Sequence, residues 1–374
     1  MKIIGFSAAQ EIRTGGHKRY IELISDIAKK ENEVVLFGTK KFKINNKNVV
    51  VRILPNVNKS FFSSTSMFYK KYLDKTLIRN TADWIIIFGE TSFYGSLAIK
   101  QKTGAKLLIA LRSNFVEEEI LSIKYSLNLL DKLKSVILLV KSLILEKRIS
   151  KKADLIVFQT VHDLEAFCKR NPKSTNVCKI IPNHIGASWM NREYENSNSS
   201  TEIQNILYVG SLGFRKGIMI LLKTFNLLCK KYNNIKLTVI GDGPYKKKVK
   251  KYIFNHNLQE NVKLLGKVSN PLEEMSKHDL LVLPSLYDSY PNVALEALLV
   301  GIPIVGTSVS GFKAILNETK YMCKPGSVKS MYEMLRKILS NQLEYEALKK
   351  VMQKCKAKHE FDWSEKFLEL IKNY

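Results

Sequence analysis

Acidic residues are scarce in this chain of 374 residues. Only 34 Asp and Glu stand against 60 Lys and Arg, and the formal net charge is +26. A deficit of this size predicts a polyanionic neighbour, either nucleic acid or an anionic membrane face. A Lys-, Asn- and Ile-rich composition explains part of the excess without any partner. The overall composition, 45% hydrophobic and 25% charged, is typical of a globular protein. The length is enough for about two domains.

Cysteine and histidine are also few. The five cysteines, an odd number, contain no C-x-x-C pair, so we expect buried thiols in a reducing compartment. The six histidines are scattered without the spacing of metal ligands, so we expect no structural metal.

Long apolar runs are missing as well. No uncharged stretch of about 18 apolar residues occurs, so the sequence predicts no membrane-spanning helix. Residues 1–10 fit a strand better than a signal peptide. We therefore expect a cytoplasmic protein.

One stretch, residues 280–311, carries the clearest pattern: LLVLPSLYDSYPNVALEALLVGIPIVGTSVSG. Leu280–Leu283 predicts a buried parallel strand, followed by a turn-rich loop. Pro291 suits the first position of a helix that Gly301 ends. Ile302–Val305 predicts the next strand.

This strand–loop–helix unit predicts a ligand site. Open parallel sheets bind ligands at the carboxyl ends of their strands, and the free N–H groups of a helix start bind anions. We expect the N–H groups of Asn292, Val293 and Ala294 to serve in this way. Two carboxylates eight positions apart, Asp288 and Glu296, can contact different parts of one ligand. An anionic ligand with hydroxyls, such as a nucleotide sugar, suits both features.

The same stretch resembles the signature of retaining glycosyltransferases of the GT-B fold, family 4. That signature has two acidic residues separated by seven others and then a Gly-x-Pro strand. Asp288 takes the place of the usual first Glu, and Glu296 matches the second. The resemblance implies an α/β fold with two Rossmann-like parallel-sheet domains facing across a cleft. It also implies sugar transfer from a nucleotide diphosphate sugar with retention, without an obligatory metal or other cofactor.

A second loop, GSLGFRKG over residues 210–217, extends the resemblance. Lys216 matches a family lysine that holds the donor diphosphate, and Ser211 stands where the family usually has Arg. Arg215 is a candidate to compensate for that change. The alternative is that Arg215 and Lys216 are a solvated pair.

Two further loops resemble donor-site segments of the family. Gly241 and Gly243 lie in a Gly-x-Gly-Pro loop, and the alternative for the intervening Asp242 is a helix cap. Gly266-Lys267-Val268 resembles the loop that holds the nucleobase through main-chain atoms. Lys267 is therefore a binding candidate, and the base itself is not readable from side chains.

In the first half of the chain, short apolar runs alternate with helical patterns, which predicts another parallel α/β sheet. Gly15 and Gly16 follow the first strand, where glycines let backbone N–H groups approach a phosphate. Arg112 follows a later strand, at a place where the family often has a His. It can bind a phosphate or acceptor oxygen, or it can pair with Glu117 or Glu118.

The segment Ile120–Lys152 has apolar residues at helical spacing among many lysines. The stripe consists of Ile123, Leu127, Leu130, Leu133, Ile137, Val140 and Ile144. Two interpretations stand: a long helix that buries the stripe in its domain, or a basic amphipathic surface resting on an anionic membrane.

These observations predict an acceptor-side domain over residues 1–184 and a nucleotide-sugar domain over 185–355. Residues 356–374 would form a helix that crosses back to the first domain. We expect Lys216, Asp288 and Arg112 to be catalytic. The residues that we expect to bind the donor are Gly15, Gly16, Ser211, Arg215, Lys216, Gly241, Gly243, Lys267, Asn292, Val293, Ala294 and Glu296.

The predicted acceptor is a polysaccharide precursor or a lipid-linked glycan at the inner face of the cell membrane. One alternative is a soluble transferase that acts on a small sugar or sugar phosphate. A nucleic-acid-binding protein is suggested by charge alone, without a base-stacking array or a known binding motif. A GT-B-like module with a decayed site is the third alternative.

Overall fold

The computed structural model describes residues 1–7, 16–38, 44, 46–54, 82–125, 128–185, 203–317 and 320–374, without the side chains of 16–18. The chain divides into two compact units: Met1–Pro182 with Trp363–Tyr374, and Asn183–Asp362. Each unit is built on one parallel sheet and has its own apolar core. The predicted fold class of two parallel-sheet α/β domains is confirmed.

The first unit contains a seven-stranded sheet in the order β3-β2-β1-β4-β5-β6-β7. Its strands are β1 (Lys2–Ser7), β2 (Glu33–Gly38), β3 (Val49–Ile53), β4 (Trp84–Phe88), β5 (Lys106–Ala110), β6 (Leu155–Phe158) and β7 (Cys178–Ile180). Its helices are α1 (Gly16–Lys29), α2 (Phe93–Thr103), α3 (Phe115–Tyr125), α4 (Leu129–Lys152) and α5 (Val161–Arg170), with α13 (Trp363–Lys372) from the end of the chain. Each described strand pair is parallel, for example Ile4 opposite Val35 and Ile85.

The second unit contains a six-stranded sheet in the order β10-β9-β8-β11-β12-β13. Its strands are β8 (Asn205–Val209), β9 (Lys236–Ile240), β10 (Val262–Gly266), β11 (Leu280–Leu283), β12 (Ile304–Thr307) and β13 (Met322–Cys323). Its helices are α6 (Ile218–Cys229), α7 (Lys246–Asn255), α8 (Pro271–Met275), α9 (Asn292–Val300), α10 (Ser310–Leu316), α11 (Val328–Leu339) and α12 (Gln342–His359).

Continuous apolar runs form the central strands because helices cover both faces of a parallel sheet. Every residue of β4, β6 and β11 is buried. The strand predicted at residues 302–305 instead spans 304–307. Pro303 lacks the N–H that a ladder needs, although its carbonyl accepts a hydrogen bond from Leu281 N at 2.9 Å, so the strand begins after it.

The segment 120–152 forms two packed helices, α3 and α4. Asn128 caps α4 and accepts a hydrogen bond from Leu130 N at 3.0 Å. The interpretation that the apolar stripe is buried in the domain is wrong for all its α4 members: Leu130, Leu133, Ile137, Val140 and Ile144 are exposed. Ile123 is half-buried, and Leu127 lies outside the described residues. Among the helices in the described part of the chain, none combines the length and the apolarity that crossing a membrane requires.

The cysteines are free thiols, as the sequence predicts. Cys178, Cys323 and Cys355 are buried, whereas Cys168 and Cys229 are half-buried. Burial raises the pKa of the Cys323 thiol to about 12. The Cys323 thiol is therefore protonated at neutral pH and acts as a small apolar side chain.

Candidate active site

Two loops at the carboxyl edge of the second sheet touch through their backbones. One follows β8 and the other follows β11, which are adjacent strands at the point where the strand order reverses. Leu286 N donates a hydrogen bond to Arg215 O at 2.8 Å. Gly217 has φ +67°, and a Cβ there would lie 1.9 Å from Pro284 O. Only glycine fits this position, because any side chain would collide with the neighbouring backbone. The resulting close contact holds the two loops together.

This contact brings Lys216 and Asp288 into an ion pair. Lys216 Nζ lies 2.5 Å from Asp288 Oδ2, and the two side chains are 22% and 10% exposed. The family resemblance predicts separate roles for them, Lys216 for the diphosphate and Asp288 for the sugar hydroxyls. The structure places both charges at one point of the sheet edge, where a ligand that carries phosphate and hydroxyl groups can contact both.

The loop that carries Asp288 is fixed from the β12 side as well. Thr307 Oγ1 donates to Ser285 O at 2.5 Å, and Gly311 N donates to Asp288 O at 3.0 Å. A Cβ on Gly311 would lie 2.3 Å from the Ser289 carbonyl carbon. The hydroxyls of Tyr287 and Ser289 are 2.5 Å apart and buried. The loop therefore reaches the site with its backbone already positioned.

Helix α9 begins directly after this loop, with Pro291 at its N-cap and no side-chain capping bond. The amide of Ala294 donates to Pro291 O at 3.0 Å, so it is committed within the turn. Asn292 and Val293 occupy the first two helical positions, where backbone N–H groups lack intrahelical partners. Glu296 lies one turn further and is half-buried.

Glycines also hold the loop after β9 against the loop after β8. A Cβ on Gly241, which has φ +138°, would lie 1.9 Å from Gly210 O, and one on Gly243 would lie 2.6 Å from Leu212 O. Leu212 N donates to Asp242 O at 3.0 Å. Within the described residues, these glycines let the backbones of the two loops approach each other closely.

Cations lie around this edge at different depths. Arg215 and Lys267 are exposed, and Ser211, also exposed, accepts a bond from Tyr208 Oη at its carbonyl (2.8 Å). Burial raises the pKa of Tyr208, the positive charge of Arg215 lowers it, and Asp288 raises it again.

Asp242 does not cap α7: its carboxylate accepts from Lys246 Nζ at 3.0 Å and from its neighbour Gly243 N at 2.8 Å, and these bonds lower its pKa.

The first unit holds the remaining candidates. Gly15 lies outside the described residues, and Gly16 is the first residue of α1. The Arg112 guanidinium lies 5.0 Å from the ring centroids of Phe88 and Trp363. Stacking on aromatic rings suits the planar guanidinium.

A histidine–carboxylate pair that was not predicted from the sequence lies at the carboxyl edge of the first sheet. His162 Nε2, just after β6, is 3.2 Å from Glu117 Oε2, in the helix after β5. Asn114 Nδ2 donates to the same Glu117 oxygen at 3.2 Å. The two residues are 45 positions apart, but β5 and β6 are adjacent strands. Placing each residue at the end of its strand and then pairing the strands would have found them.

A buried ion pair supports this edge from behind. Arg170 donates to both carboxylate oxygens of Glu146, at 2.8 and 2.7 Å, and the Glu146 side chain is 4% exposed. Arg170 also reaches Asn114 Oδ1 at 3.4 Å. Nearby, burial and the charge of Glu118 raise the pKa of Glu90, which follows β4. The first edge therefore combines carboxylates with one imidazole and the guanidinium of Arg112.

In the described part of the chain, Glu117, His162 and Asp163 bring three potential metal-ligand atoms within 4.8 Å of one another. Thr160 donates to Asp163 Oδ2 at 2.9 Å, and Asp163 N donates back to Thr160 at 3.1 Å. This reciprocal pair caps α5, which gives Asp163 a structural role.

Known proteins resemble parts of this chain in sequence. Residues 191–355 match the family model described as glycosyl transferases group 1. An uncharacterized glycosyltransferase of Methanocaldococcus jannaschii is 30% identical over 165 residues, which cover 42% of this chain and 40% of that protein. The capsular polysaccharide biosynthesis glycosyltransferase CapM of Staphylococcus aureus is 29% identical over 139 residues, 36% of either chain.

A Campylobacter jejuni enzyme is 26% identical over 193 residues, which cover 51% of this chain and 52% of that one. Its name is N-acetylgalactosamine-N,N'-diacetylbacillosaminyl-diphospho-undecaprenol 4-alpha-N-acetylgalactosaminyltransferase. The matched part of the chain thus covers 36% to 52% of the length of these three relatives.

Solved structures resemble the whole chain in fold. HepE of Anabaena, solved with UDP and glucose, superposes with a TM-score of 0.78 at 15% identity and covers 100% of both chains. WaaG, a glycosyltransferase involved in lipopolysaccharide biosynthesis, gives 0.76 at 17% identity over 99% of each chain. The chain thus has the fold of GT-B glycosyltransferases, and its residues 191–355 match the glycosyl transferases group 1 family model.

Proposed function

We propose that this chain transfers a sugar from a nucleotide diphosphate sugar to a hydroxyl group of a glycan or lipid-linked acceptor, with retention at the anomeric carbon. The observation that carries the proposal is the Lys216–Asp288 pair beside the start of α9, within the residues that match the family. HepE, which shares the fold, was solved with UDP and glucose, which supports a nucleotide sugar as the donor.

Donor binding would use the positive groups of the second edge. The N–H groups of Asn292 and Val293 and the ammonium of Lys216 would hold the diphosphate. A helix start alone contributes only about 0.3–1 kcal/mol toward an exposed anion, so the lysine is needed. Asp288 would accept hydrogen bonds from sugar hydroxyls once phosphate draws Lys216 away. Glu296, one turn into α9, would bind the ribose.

The donor site also contains the weaker candidates. The sugar and base would contact the backbone of the loops at Gly241, Gly243 and Lys267. Arg215 is exposed in the same loop as Ser211, so it would supply the second cation that the family usually takes from the Ser211 position.

In the reaction, the bond between the anomeric carbon and the diphosphate oxygen breaks, and the acceptor oxygen bonds to the same face of that carbon. The acceptor proton passes to the departing diphosphate. Lys216 and the α9 amides would stabilise the charge that grows on this leaving group, a contribution of electrostatic catalysis. These groups would do the work of a metal ion, so we propose that no metal is obligatory.

We assign acceptor binding to the carboxyl edge of the first sheet. His162 and Glu117 form a pair that can accept and orient a hydroxyl group, and Arg112 would bind a phosphate or another acceptor oxygen. The name of the Campylobacter relative describes a diphospho-undecaprenol acceptor, and CapM serves capsule synthesis. With a lipid-linked or polysaccharide acceptor, the proposed reaction would take place at the inner face of the cell membrane.

Thermal unfolding with UDP-, GDP- and ADP-sugars tests the donor. A true donor at about 100 times its dissociation constant should stabilise the protein by roughly 2.7 kcal/mol. NMR of the product should then show the anomeric configuration of the donor, and chelation with EDTA should leave the rate unchanged. Inversion at the anomeric carbon or loss of activity with EDTA would remove the corresponding part of the proposal.

A further inference from the structure

Helix α4 turns its apolar side outward. Eight large apolar residues of this helix are exposed, with fractions from 40% at Leu143 to 80% at Leu129. They are Leu129, Leu130, Leu133, Val136, Ile137, Val140, Leu143 and Ile144, and we call them the outer face of α4. At 3.6 residues per turn they fall in one continuous sector of about 140°. Exposed apolar residues are common singly, but a contiguous set marks an interaction surface.

The packing of the opposite side fixes this orientation. Ser135, Ser142, Leu145, Glu146 and Ile149 are the buried residues of α4. Three of the five are polar, and two of these have partners: Ser135 shares a hydrogen bond with Ser122 of α3 at 2.8 Å, and Glu146 pairs with Arg170. A globular helix normally buries its apolar stripe and exposes polar residues. Here the larger apolar sector faces away from the core.

Basic residues surround the outer face. Lys132, Lys134 and Lys141 lie on its two flanks, and Lys147, Arg148, Lys151 and Lys152 occupy its C-terminal end. The helix has only two acidic residues, and both are paired: Asp131 with Lys134 at 3.7 Å, and Glu146 with Arg170 at 2.7 Å. The charge that α4 presents to solvent is therefore strongly positive.

We propose that the outer face of α4 inserts into the interface of an anionic lipid bilayer, with the helix lying parallel to the membrane plane. An apolar face bordered by lysines is the pattern of interfacial helices: the apolar residues enter the acyl boundary and the cations contact anionic headgroups. A second copy of this chain would cover the apolar face but would bring its own lysines against these, which is repulsive. Charge complementarity therefore favours the bilayer.

Docking through the outer face concerns binding alone. The location of the proposed transferase reaction agrees with it, but vesicle binding needs neither donor nor acceptor. Failure of glycosyl transfer would leave the docking surface in place, and loss of docking would leave activity on a water-soluble acceptor in place.

The test is flotation of the full chain with vesicles of phosphatidylcholine alone or mixed with phosphatidylglycerol. We expect binding to the anionic vesicles and at least tenfold less to the zwitterionic ones. Leu133→Glu and Ile137→Glu, whose side chains are 58% and 49% exposed, should each weaken binding at least tenfold without a change in melting temperature. The matched control is Leu343→Glu in the second unit, 81% exposed, which should bind like the wild type.

A second pair of variants separates the local patch from net charge. Lys147→Gln with Lys151→Gln should weaken binding severalfold, and Lys247→Gln with Lys250→Gln, which remove the same charge from α7, should not. Equal effects of the two pairs of variants, or unchanged vesicle binding of Leu133→Glu and Ile137→Glu, would overturn the proposal. Sedimentation that shows a dimer broken by Ile137→Glu, without vesicle binding, would assign the face to a second copy instead.

Discussion

The carboxyl edges of the two sheets differ in charge although the sheets share one topology. Both run 3-2-1-4-5-6 in strand order, with one more strand in the first, so equivalent loops follow equivalent strands. The first edge combines the carboxylates of Glu90 and Glu117 with His162 and Arg112, and the second carries Lys216 beside Asp288. The topology thus decides where a ligand can bind, and the loops decide which chemistry it meets.

The two edges are also held in different ways. In the second unit, glycines let loop backbones approach so closely that a Cβ would collide, as at Gly217 and Gly311. In the first unit, a side-chain network from Glu146 through Arg170 to Asn114 supports the edge. We therefore expect the first edge to lose stability when a charge is removed, and the second to lose stability when a methyl group is added.

The largest expected effect is on the first edge. Arg170→Ala would leave the Glu146 carboxylate buried without its bidentate partner, which should cost about 3–5 kcal/mol in the free energy of unfolding. Urea denaturation measures this cost. The double variant Arg170→Ala, Glu146→Ala should recover much of it, because no uncompensated charge remains. A cost below about 1 kcal/mol for Arg170→Ala would show that the pair contributes like a surface pair.

The next effect is on the second edge and concerns activity. Lys216→Ala should reduce glycosyl transfer about 10²–10³-fold, as removal of one preorganised stabilising group does. Kinetics with the donor found by thermal screening measures it. Lys223→Ala, an exposed lysine on the helix that follows, serves as the control and should retain full activity. Equal rates for the two variants would remove Lys216 from the site.

Two glycines with left-handed backbones differ in how closely other atoms approach them, so substituting each separates the cost of the contact from the cost of the backbone conformation. Gly217→Ala meets both a positive φ and Pro284 O at 1.9 Å, whereas Gly104→Ala, in the first unit at φ +75°, meets nothing within 4 Å. We expect Gly104→Ala to lower the free energy of unfolding by about 1–2 kcal/mol, through the backbone alone. Gly217→Ala should lower it by about 1–3 kcal/mol more, because of the close contact. Melting temperatures and donor binding would measure both. Similar losses at the two sites would contradict the close contact between the loops.

The second unit should weaken in acid. Burial lowers the pKa of His359 below 6.5; its Nδ1 bonds Cys355 O and its Nε2 lies 2.7 Å from Tyr290 Oη. The stability from a neutral His359 is present above pH 6.5 and is lost as the pH falls through the lowered pKa. A tenfold change in a proton affinity corresponds to about 1.4 kcal/mol of stability. His359→Gln should flatten the melting temperature between about pH 7 and pH 5, and an unchanged slope would contradict this.

The first edge should respond in the opposite direction, and weakly. Burial, followed by the charge of Glu118, raises the pKa of Glu90 above 4.5. Its contribution to stability is complete below that ordinary value and is lost as the pH rises through the raised pKa. Glu90→Gln should therefore raise the melting temperature at neutral pH by an amount worth about 1 kcal/mol or less. A lower melting temperature would mean that the ionised carboxylate has a stabilising partner.

Much of the fold could be predicted from periodicity. The run LLVL is a strand at the predicted position, and WIIIF and LIVF are strands of the sheet predicted for the first half of the chain, because a parallel strand covered on both faces is apolar throughout. Pro303 shifted one strand by two residues. The sequence also located Lys216 and Asp288 at strand ends, but their ion pair depends on backbone packing between two loops that are 72 positions apart in the chain.

The amino-acid sequence by itself determined the strands, the loops that carry the candidate groups and the excess of positive charge, since these depend on local composition and spacing. Only the tertiary structure decided that His162 meets Glu117, that Lys216 meets Asp288, and that the apolar side of α4 faces outward. Periodicity reveals that a helix has an apolar side. Which way that side faces depends on the neighbours that pack against the helix, and these neighbours are defined only by the tertiary structure.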